Sequence, residues 1–304
     1  MTDNYDVVVI GAGVAGMTAA LYLKRSGLEP LIIEKSAPGG QINRSALVEN
    51  YPGFTNIDGP TLAYNIFTQV NNLGIKYKSG NVKEIVDKKD YKQIILDNEI
   101  INTKTIIIAT GRQPRELGLP NEKSLTGRGI SWCAICDGYF FKDKEVAVVG
   151  GGDSALEETL FLSNIVKKIY LIHRRDVFKS SKELQDKVKQ LNNVEYVLNS
   201  NIIEIKEKDN KLNGLVIKDN NNKIKELEVS GLFIYIGSNP DTQNFKSLNI
   251  LDNNDYIIVN RDYETRIKGI YACGDVISKN LYQLTTAVGD ASTAAHNLKK
   301  SYFS

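Results

Sequence analysis

Two glycine loops of one kind occur in this chain, and each opens a strand-loop-helix unit. The first runs Gly11-Ala12-Gly13-Val14-Ala15-Gly16 and the second Gly150-Gly151-Gly152-Asp153-Ser154-Ala155. Each follows a short β-branched run and precedes residues with helical apolar spacing. In such a loop the backbone turns tightly, and the free N–H groups of the next helix face outward, where they can hold a pyrophosphate. Ala155 in the third glycine position still permits close helix packing, because that position needs only a small side chain. The residues that follow differ in charge. The first unit reaches Glu34 at the end of its second strand, whereas the second reaches His173-Arg174-Arg175, with Lys179 close behind. A carboxylate accepts hydrogen bonds from a ribose diol, and clustered arginines attract a 2'-phosphate. The contrast predicts a flavin or NAD site first and an NADPH site second.

The repeated unit implies two nucleotide-binding domains, and 304 residues with 42% hydrophobic content suffice for both. Lys and Arg number 38 against 36 acidic residues, which argues against a large nucleic-acid footprint. The longest apolar stretch, Val7 to Leu23, contains a glycine loop and lacks a basic leader, so it reads as strand, loop and helix. With no secretion signal in view, the expected compartment is the reducing cytoplasm.

Along the chain, Asp6 to Ile10 and Pro30 to Glu34 read as strands flanking a helix from Val14 to Ser26, which Gly27 ends. A second helix is expected over Thr61 to Leu73. Short strands follow near 75–77, 82–86 and 93–96, then a buried one over Thr105 to Ala109. Pro114 and Pro120 mark a linker, and Gly237 to Pro240 a return linker. Between them, strands are expected at Glu145 to Val149 and Ile169 to His173, a helix at Asp153 to Ser163, and a β-rich stretch over 202–235. Strand-like Tyr256 to Val259, Ile270 to Ala272 and a last helix from about Thr285 to Leu298 are too few for a third domain. They complete the first, which makes the second an insertion. The expected boundaries are 1–113 with 244–304 for the first domain and 114–243 for the second.

Between the two loops lies Cys133-Ala134-Ile135-Cys136. Cysteines two residues apart at the start of a helix can form a disulfide, and a helix N-terminus lowers a thiol's pKa. Structural zinc needs four protein ligands, and no second such pair exists, so no metal is expected. Cys273 reads as a small buried residue. Asp137 is a candidate acid for the leaving thiolate, or a turn former beside Gly138. Asp275, at a strand end, could bond a ribityl hydroxyl, with Gln283 and the last helix close to the flavin.

Taken together, these motifs resemble the bacterial-type low-molecular-weight thioredoxin reductases, class II of the FAD/NADPH disulfide oxidoreductases. The likeness also rests on Gly39-Gly40-Gln41, Glu49-Asn50-Tyr51-Pro52-Gly53, Ala109-Thr110-Gly111, Asp176 after the arginines and Cys273-Gly274-Asp275, and it covers essentially the whole chain. It implies an α/β fold of two Rossmann-like three-layer domains, with the NADPH domain inserted in the FAD domain. FAD would be held by Gly11, Gly13, Ala15, Gly16, Glu34, Lys35, Gly40, Gln41, Asn50, Val82, Thr110, Gly111, Gly274, Asp275 and Gln283. NADPH would be held by Gly152, Asp153, Ser154, His173, Arg174, Arg175 and Lys179. Cys136 would be the sulfur nearer the flavin, Cys133 would attack the disulfide of thioredoxin, and Asp137 would serve as acid-base. The resemblance further implies homodimers whose NADPH domain turns between two poses, with hinges near Arg112 to Pro120 and Gly237 to Pro240.

Three residues depart from the family pattern. Ile135 stands where threonine is common, Tyr282 where arginine is usual, and Lys179 where the basic motif ends in arginine. The last change exchanges a bidentate fork for a point charge and so should weaken the preference for NADPH. The leading expectation is NADPH-dependent reduction of thioredoxin through FAD and the Cys133-Cys136 dithiol. Alternatives are a same-fold reductase with a ferredoxin, peroxiredoxin or glutaredoxin-like partner, and a non-catalytic flavin-binding redox sensor.

Overall fold

A computed structural model describes residues 4–45 and 48–304. By internal contacts the chain forms two compact units, Met1–Gln113 with Asn239–Ser304, and Pro114–Ser238. Residues 239–243, expected in the second domain, thus belong to the first unit. Thr242 anchors them there: it is fully buried and its hydroxyl donates to the Asp255 carbonyl at 2.7 Å.

The first stretch of chain contributes β1 (Asn4–Ile10), α1 (Val14–Arg25), β2 (Pro30–Glu34), α2 (Gly59–Asn72), β3 (Lys76–Ser79), β4 (Glu84–Asp87), β5 (Lys92–Ile95), β6 (Ile100–Ile108) and the short β7 (Arg112–Pro114). Gly27, at φ 89°, follows the Ser26 C-cap of α1, and Asp58 caps α2 by accepting the Thr61 N–H at 2.9 Å.

The inserted unit contributes β8 (Ile130–Ser131), α3 (Ala134–Asp137), β9 (Glu145–Gly150), α4 (Asp153–Ser163), β10 (Lys168–Ile172), α5 (Lys182–Lys189), β11 (Val194–Val197), β12 (Ser200–Lys208), β13 (Lys211–Asp219), β14 (Ile224–Leu227) and β15 (Gly231–Tyr235). Its main sheet has the order β11-β10-β9-β15-β8 with every pair parallel, and β12-β13-β14 form a separate antiparallel sheet. Val146 and Val148 of β9 join one apolar cluster while Ala147 and Val149 join another, so the strand is buried on both faces.

After β16 (Ser238–Pro240) the chain returns to the first unit and adds β17 (Ile270–Ala272) and α6 (Leu284–Tyr302). Its seven-stranded sheet runs β3-β2-β1-β6-β5-β4, with β17 also on β6. One edge of β6 serves two partners: residues 100–103 pair antiparallel with β5, and residues 106–108 pair parallel with β17. That arrangement explains how a β-rich insertion and the returning chain share one sheet. Val7 and Val9 face the cluster that contains α1 and α6, and Val8 and Ile10 face the opposite one. Small residues such as Ala15, Ala19, Ala291 and Ala294 let those two helices pack closely.

Tyr256 to Val259 does not form a strand. Its successive N–H groups diverge, with Ile257 donating to the Val276 carbonyl at 3.0 Å and Ile258 to the Ile250 carbonyl at 2.8 Å, so no ladder builds on either partner. Among the described residues no helix is long and apolar enough to cross a membrane.

Candidate active site

The turn from β1 into α1 is fixed by Gly11. Its φ is 106°, and a β-carbon there would stand 2.4 Å from the Ala109 carbonyl oxygen, so only glycine fits. Gly16 serves packing, since a β-carbon would meet the Gly11 carbonyl oxygen at 1.8 Å. At Gly13, by contrast, nothing lies within 4 Å of the missing side chain. This open backbone faces a cleft of about 310 Å³ lined by Gly11, Gly13, Ala15, Glu34, Lys35, Gly40, Gln41, Val82, Thr110, Gly111, Asp275 and Gln283, all from the first unit. The first turn of α1 has no acidic residue and its Gly13 N-cap makes no side-chain cap bond, which leaves the positive helix end available to an anion.

Glu34 is buried and already committed on both oxygens. Oε2 accepts the Ala12 N–H at 2.7 Å, and Oε1 accepts the N–H and hydroxyl of Ser36, each at 2.9 Å. These bonds lock the carboxylate under the loop and leave its second lone pairs for a diol. Asp275 has a buried Oδ1 that makes no hydrogen bond, with the Lys279 ammonium 3.3 Å away but not aligned as a donor. An orphan acceptor in a cleft wall fits a hydroxylated ligand. Asn50 is not in the wall; its amide donates to the Gln283 side-chain oxygen at 2.9 Å and so steadies a residue that is. Gly274 packs against Ala15, whose β-carbon would be 2.7 Å from one at Gly274.

In the second unit, α4 likewise starts from a glycine, Gly152, that makes no side-chain cap bond and has nothing within 4 Å of a would-be β-carbon. Asp153 does not cap α4. Its Oδ1 accepts the Ser181 N–H at 2.9 Å, and the Lys179 N–H donates to the Gly151 carbonyl at 2.7 Å. The basic segment is therefore tied to the glycine loop at two points. His173 lies against Gly151, where a β-carbon would sit 2.2 Å from the ring, and stacks on Phe178 at 5.2 Å. Burial first, then the neighbouring arginines, hold its pKa below the usual histidine value. Ser154, Arg174, Arg175 and Lys179 are exposed. Among the described residues neither arginine is in an ion pair.

Cys133 and Cys136 form a disulfide. Cys133 is the N-cap of α3, and its sulfur accepts the Cys136 N–H at 3.2 Å. Cys133 is only 7% exposed, whereas Cys136 is open to solvent. Ser131 receives the Cys133 N–H at 3.0 Å and stands 2.6 Å from Asp137 Oδ2. Three and four residues after Cys136 come two bare aromatics, Tyr139 at 69% and Phe140 at 74% exposure. Cys273, in contrast, is fully buried, and that burial pushes its thiol far above the ordinary range.

The model of the pyridine nucleotide-disulphide oxidoreductase family matches residues 5–291. The chain belongs to that family. Within it, this oxidoreductase is of the bacterial low-molecular-weight thioredoxin reductase type. It is 42% identical over 297 residues to a thioredoxin reductase of Listeria monocytogenes, covering 97% of this chain and 93% of the relative. A Bacillus subtilis thioredoxin reductase is 42% identical over 296 residues, covering 97% and 94%. The crystal structure of Lactococcus lactis thioredoxin reductase superposes with a TM-score of 0.92 at 41% identity, covering 97% of this chain and 98% of that one. The two Rossmann-like domains and the disulfide make the chain a flavoprotein disulfide oxidoreductase, on a fold that accommodates FAD and NADPH.

For this oxidoreductase, sequence reasoning left part of the cleft wall out. Arg112, Gln113, Asp241 and Asn244 all line it, beside Tyr282, which the sequence had already placed on the flavin side. Asp241 holds Lys35 at 2.5 Å and accepts the Gln113 amide at 3.1 Å, and its carbonyl receives the Thr110 hydroxyl at 2.7 Å. Arg112 and Asp241 lie at the linkers, where nothing in the local pattern distinguishes a cleft wall from a connection.

Proposed function

We propose that this chain reduces the disulfide of a thioredoxin with electrons from NADPH, holding FAD in the Gly13 cleft and NADPH at the Gly152 loop. When bound, the nicotinamide supplies a hydride and the flavin turns it into an electron pair that a disulfide can accept. The first unit is then the FAD domain and the inserted unit the NADPH domain. Asp275, with its unused acceptor, and the open backbone at Gly13 support the first assignment. Arg174 and Arg175, presented on a segment pinned to Gly151, support the second and favour a nicotinamide donor over ferredoxin.

The reading is carried above all by a disulfide at the surface, with Cys136 exposed next to exposed Tyr139 and Phe140. A small disulfide needs a pocket; a protein disulfide needs an accessible sulfur and an apolar shoulder. Two electrons and two protons open Cys133–Cys136 to a dithiol. In the roles the resemblance implies, Cys133, which is covered in the oxidised pair and must be uncovered once the pair opens, passes its thiol proton to Asp137; its thiolate, favoured at the N-terminus of α3, attacks the partner's disulfide and expels one of its sulfurs, which takes that proton back from Asp137. Cys136, whose thiol proton passes to the departing sulfur, then displaces the second partner sulfur from Cys133, so that the chain's disulfide re-forms and the partner leaves as a dithiol. The hydroxyl of Ser131 holds the Asp137 carboxyl beside this exchange.

A homodimer and a cytoplasmic setting belong to the same proposal, on the strength of the resemblance and of a pair that must cycle between oxidised and reduced forms. The deciding experiment follows NADPH absorbance with purified, FAD-loaded protein and either oxidised thioredoxin or glutathione disulfide. Turnover with thioredoxin and none with glutathione is expected. The opposite pattern would remove the protein-substrate reading.

A further inference from the structure

The acceptor in the wall of the Gly13 cleft is one end of a charged chain that runs into the core of the first unit. Oδ1 of Asp275 is buried and makes no hydrogen bond, yet the side chain as a whole is 25% exposed, so its open part is the remainder, which lines the cleft. Behind it, the Lys279 ammonium stands 3.3 Å from Asp275 Oδ1 and 2.9 Å from Asp290 Oδ2. Asp290 belongs to α6, and its Oδ1 accepts the Tyr263 hydroxyl at 2.9 Å. Tyr263 in turn packs against both apolar clusters of this unit. The Tyr282 ring borders the same corner, with its centroid 5.7 Å from the Lys279 ammonium and 4.5 Å from the Arg112 guanidinium carbon.

A lysine at a surface gains little from a carboxylate, because water and side-chain freedom compete with the pair. Lys279 and Asp290 are only 13% and 12% exposed, so that competition is weak. The two contacts of the ammonium differ in kind. The one to Asp290 is short and aligned as a hydrogen bond, whereas the one to Asp275 is longer and unaligned. Asp290 therefore fixes the ammonium, and the ammonium acts on Asp275 as a stationary positive charge. The backbone of Asp275 is already set by the short turn Gly274–Val276, in which Gly274 has φ 77°, so the side-chain rotation is what remains to be chosen. A charge behind Oδ1 draws that oxygen inward and turns the other toward the cleft, where a carboxylate accepts from a hydroxyl more strongly than a neutral oxygen does. Lys279 itself does not line the cleft, so it reaches a ligand through Asp275.

We infer that Lys279, anchored on α6 by Asp290, is a positioning residue of the flavin cleft and holds Asp275 with an acceptor oxygen toward a hydroxyl of FAD. The inference rests on the FAD reading above and adds to it the buried charge that orients the acceptor.

The test measures the dissociation constant of the apoprotein for FAD by quenching of flavin fluorescence, as a double-mutant cycle between Lys279 and Asp275. Lys279→Met keeps most of the stem and should weaken binding about tenfold, in line with one bond to a charged group. Asp275→Asn should itself weaken binding, and in that background Lys279→Met should cost about threefold or less, because the group it acts through is gone. Lys279→Arg keeps the charge and should recover most of the affinity. Asp290→Asn loosens the ammonium from the other side and should give a smaller loss that also shrinks in the Asp275→Asn background, which keeps the test open if Lys279→Met does not fold. Unchanged affinity in folded Lys279→Met overturns the inference. So does an equal loss in both Asp275 backgrounds, since Lys279 would then act through the general fold and not through Asp275. A loss in Lys279→Met with none in Asp290→Asn overturns it as well, because the anchor would be idle. Each of these results leaves the wild-type protein binding FAD and removes this inference alone, whereas a wild-type protein that takes up no FAD removes the cofactor reading and the inference with it.

Discussion

The Ser131 hydroxyl stands 2.6 Å from Oδ2 of Asp137 and at the same time receives the Cys133 N–H at 3.0 Å. One side chain thus ties the proposed acid to the cysteine whose exchange it serves. The hydroxyl has a single proton, and the short contact to a carboxylate is where it is best used.

Ser131→Ala should therefore slow exchange with thioredoxin more than it weakens docking. Loss of a hydrogen bond to a charged group is worth about 1.5–3 kcal/mol, or roughly ten- to a hundredfold in rate if it acts fully in the exchange step. Single-turnover reaction of pre-reduced protein with thioredoxin would show the maximal rate falling while the thioredoxin concentration at half-maximal rate stays near the wild-type value. Ser131→Thr keeps the hydroxyl and should retain most of the rate. A drop in affinity alone would assign Ser131 a purely structural part.

Either cysteine-to-serine change should abolish turnover, but only one should trap the partner. Attack by Cys133 means that Cys136→Ser, given a thioredoxin lacking its resolving cysteine, accumulates a mixed disulfide visible on a non-reducing gel. In the oxidised pair Cys136 is the exposed sulfur and Cys133 the buried one, so the trap decides between the roles the resemblance implies and those that exposure alone would favour. Trapping by Cys133→Ser in its place would reverse the assigned roles.

Glu158, in α4, is only 7% exposed, and its Oε2 finds no hydrogen bond. Burial first, and the neighbouring Glu157 second, raise its pKa from 4.5 to about 8. The native state therefore keeps a proton that the unfolded chain releases. Its contribution to stability is complete below pH 4.5 and is lost as pH rises toward and through about 8. Glu158→Gln should leave the melting temperature near the wild-type value at pH 5 and raise it by several degrees at pH 9, for a gain of a few kcal/mol. An equal change at both pH values would show that ionisation of Glu158 is not the cause.

Arg174→Ala and Arg175→Ala should each lower kcat/KM for NADPH by about tenfold or more, as expected for a charge-assisted bond to phosphate, while values for NADH stay close to the wild type. Lys179→Arg should widen the preference for NADPH by restoring a planar fork. Equal losses with both nucleotides would place the arginines outside the 2'-phosphate site.

Where a local pattern and a tertiary role coincided, the sequence was informative. Pro30–Glu34, Asp153–Ser163 and Ile270–Ala272 are elements with the expected limits, because a proline, a glycine loop and a following Cys-Gly pair mark their ends. The helix Lys182–Lys189 was not expected, since it is short and mostly charged and leaves only Val188 fully buried. At the site, the glycine loops and the cysteine pair were legible because their chemistry is written in adjacent residues. Arg112 with Tyr282, and Ser131 with Asp137, were not. The first pair meets only after the inserted unit has been traversed, and the second depends on how β8 turns into α3.

In the proposed function the flavin cleft and the Cys133–Cys136 pair belong to one path for electrons. A flavin and a disulfide each take up two electrons, so anaerobic NADPH consumption counts both. FAD-loaded wild-type protein given excess NADPH should consume twice as much per chain as Cys136→Ser, and the extra equivalent should be recoverable as reduced thioredoxin. Equal consumption by the two proteins, with the disulfide still intact in the wild type, would contradict the claim.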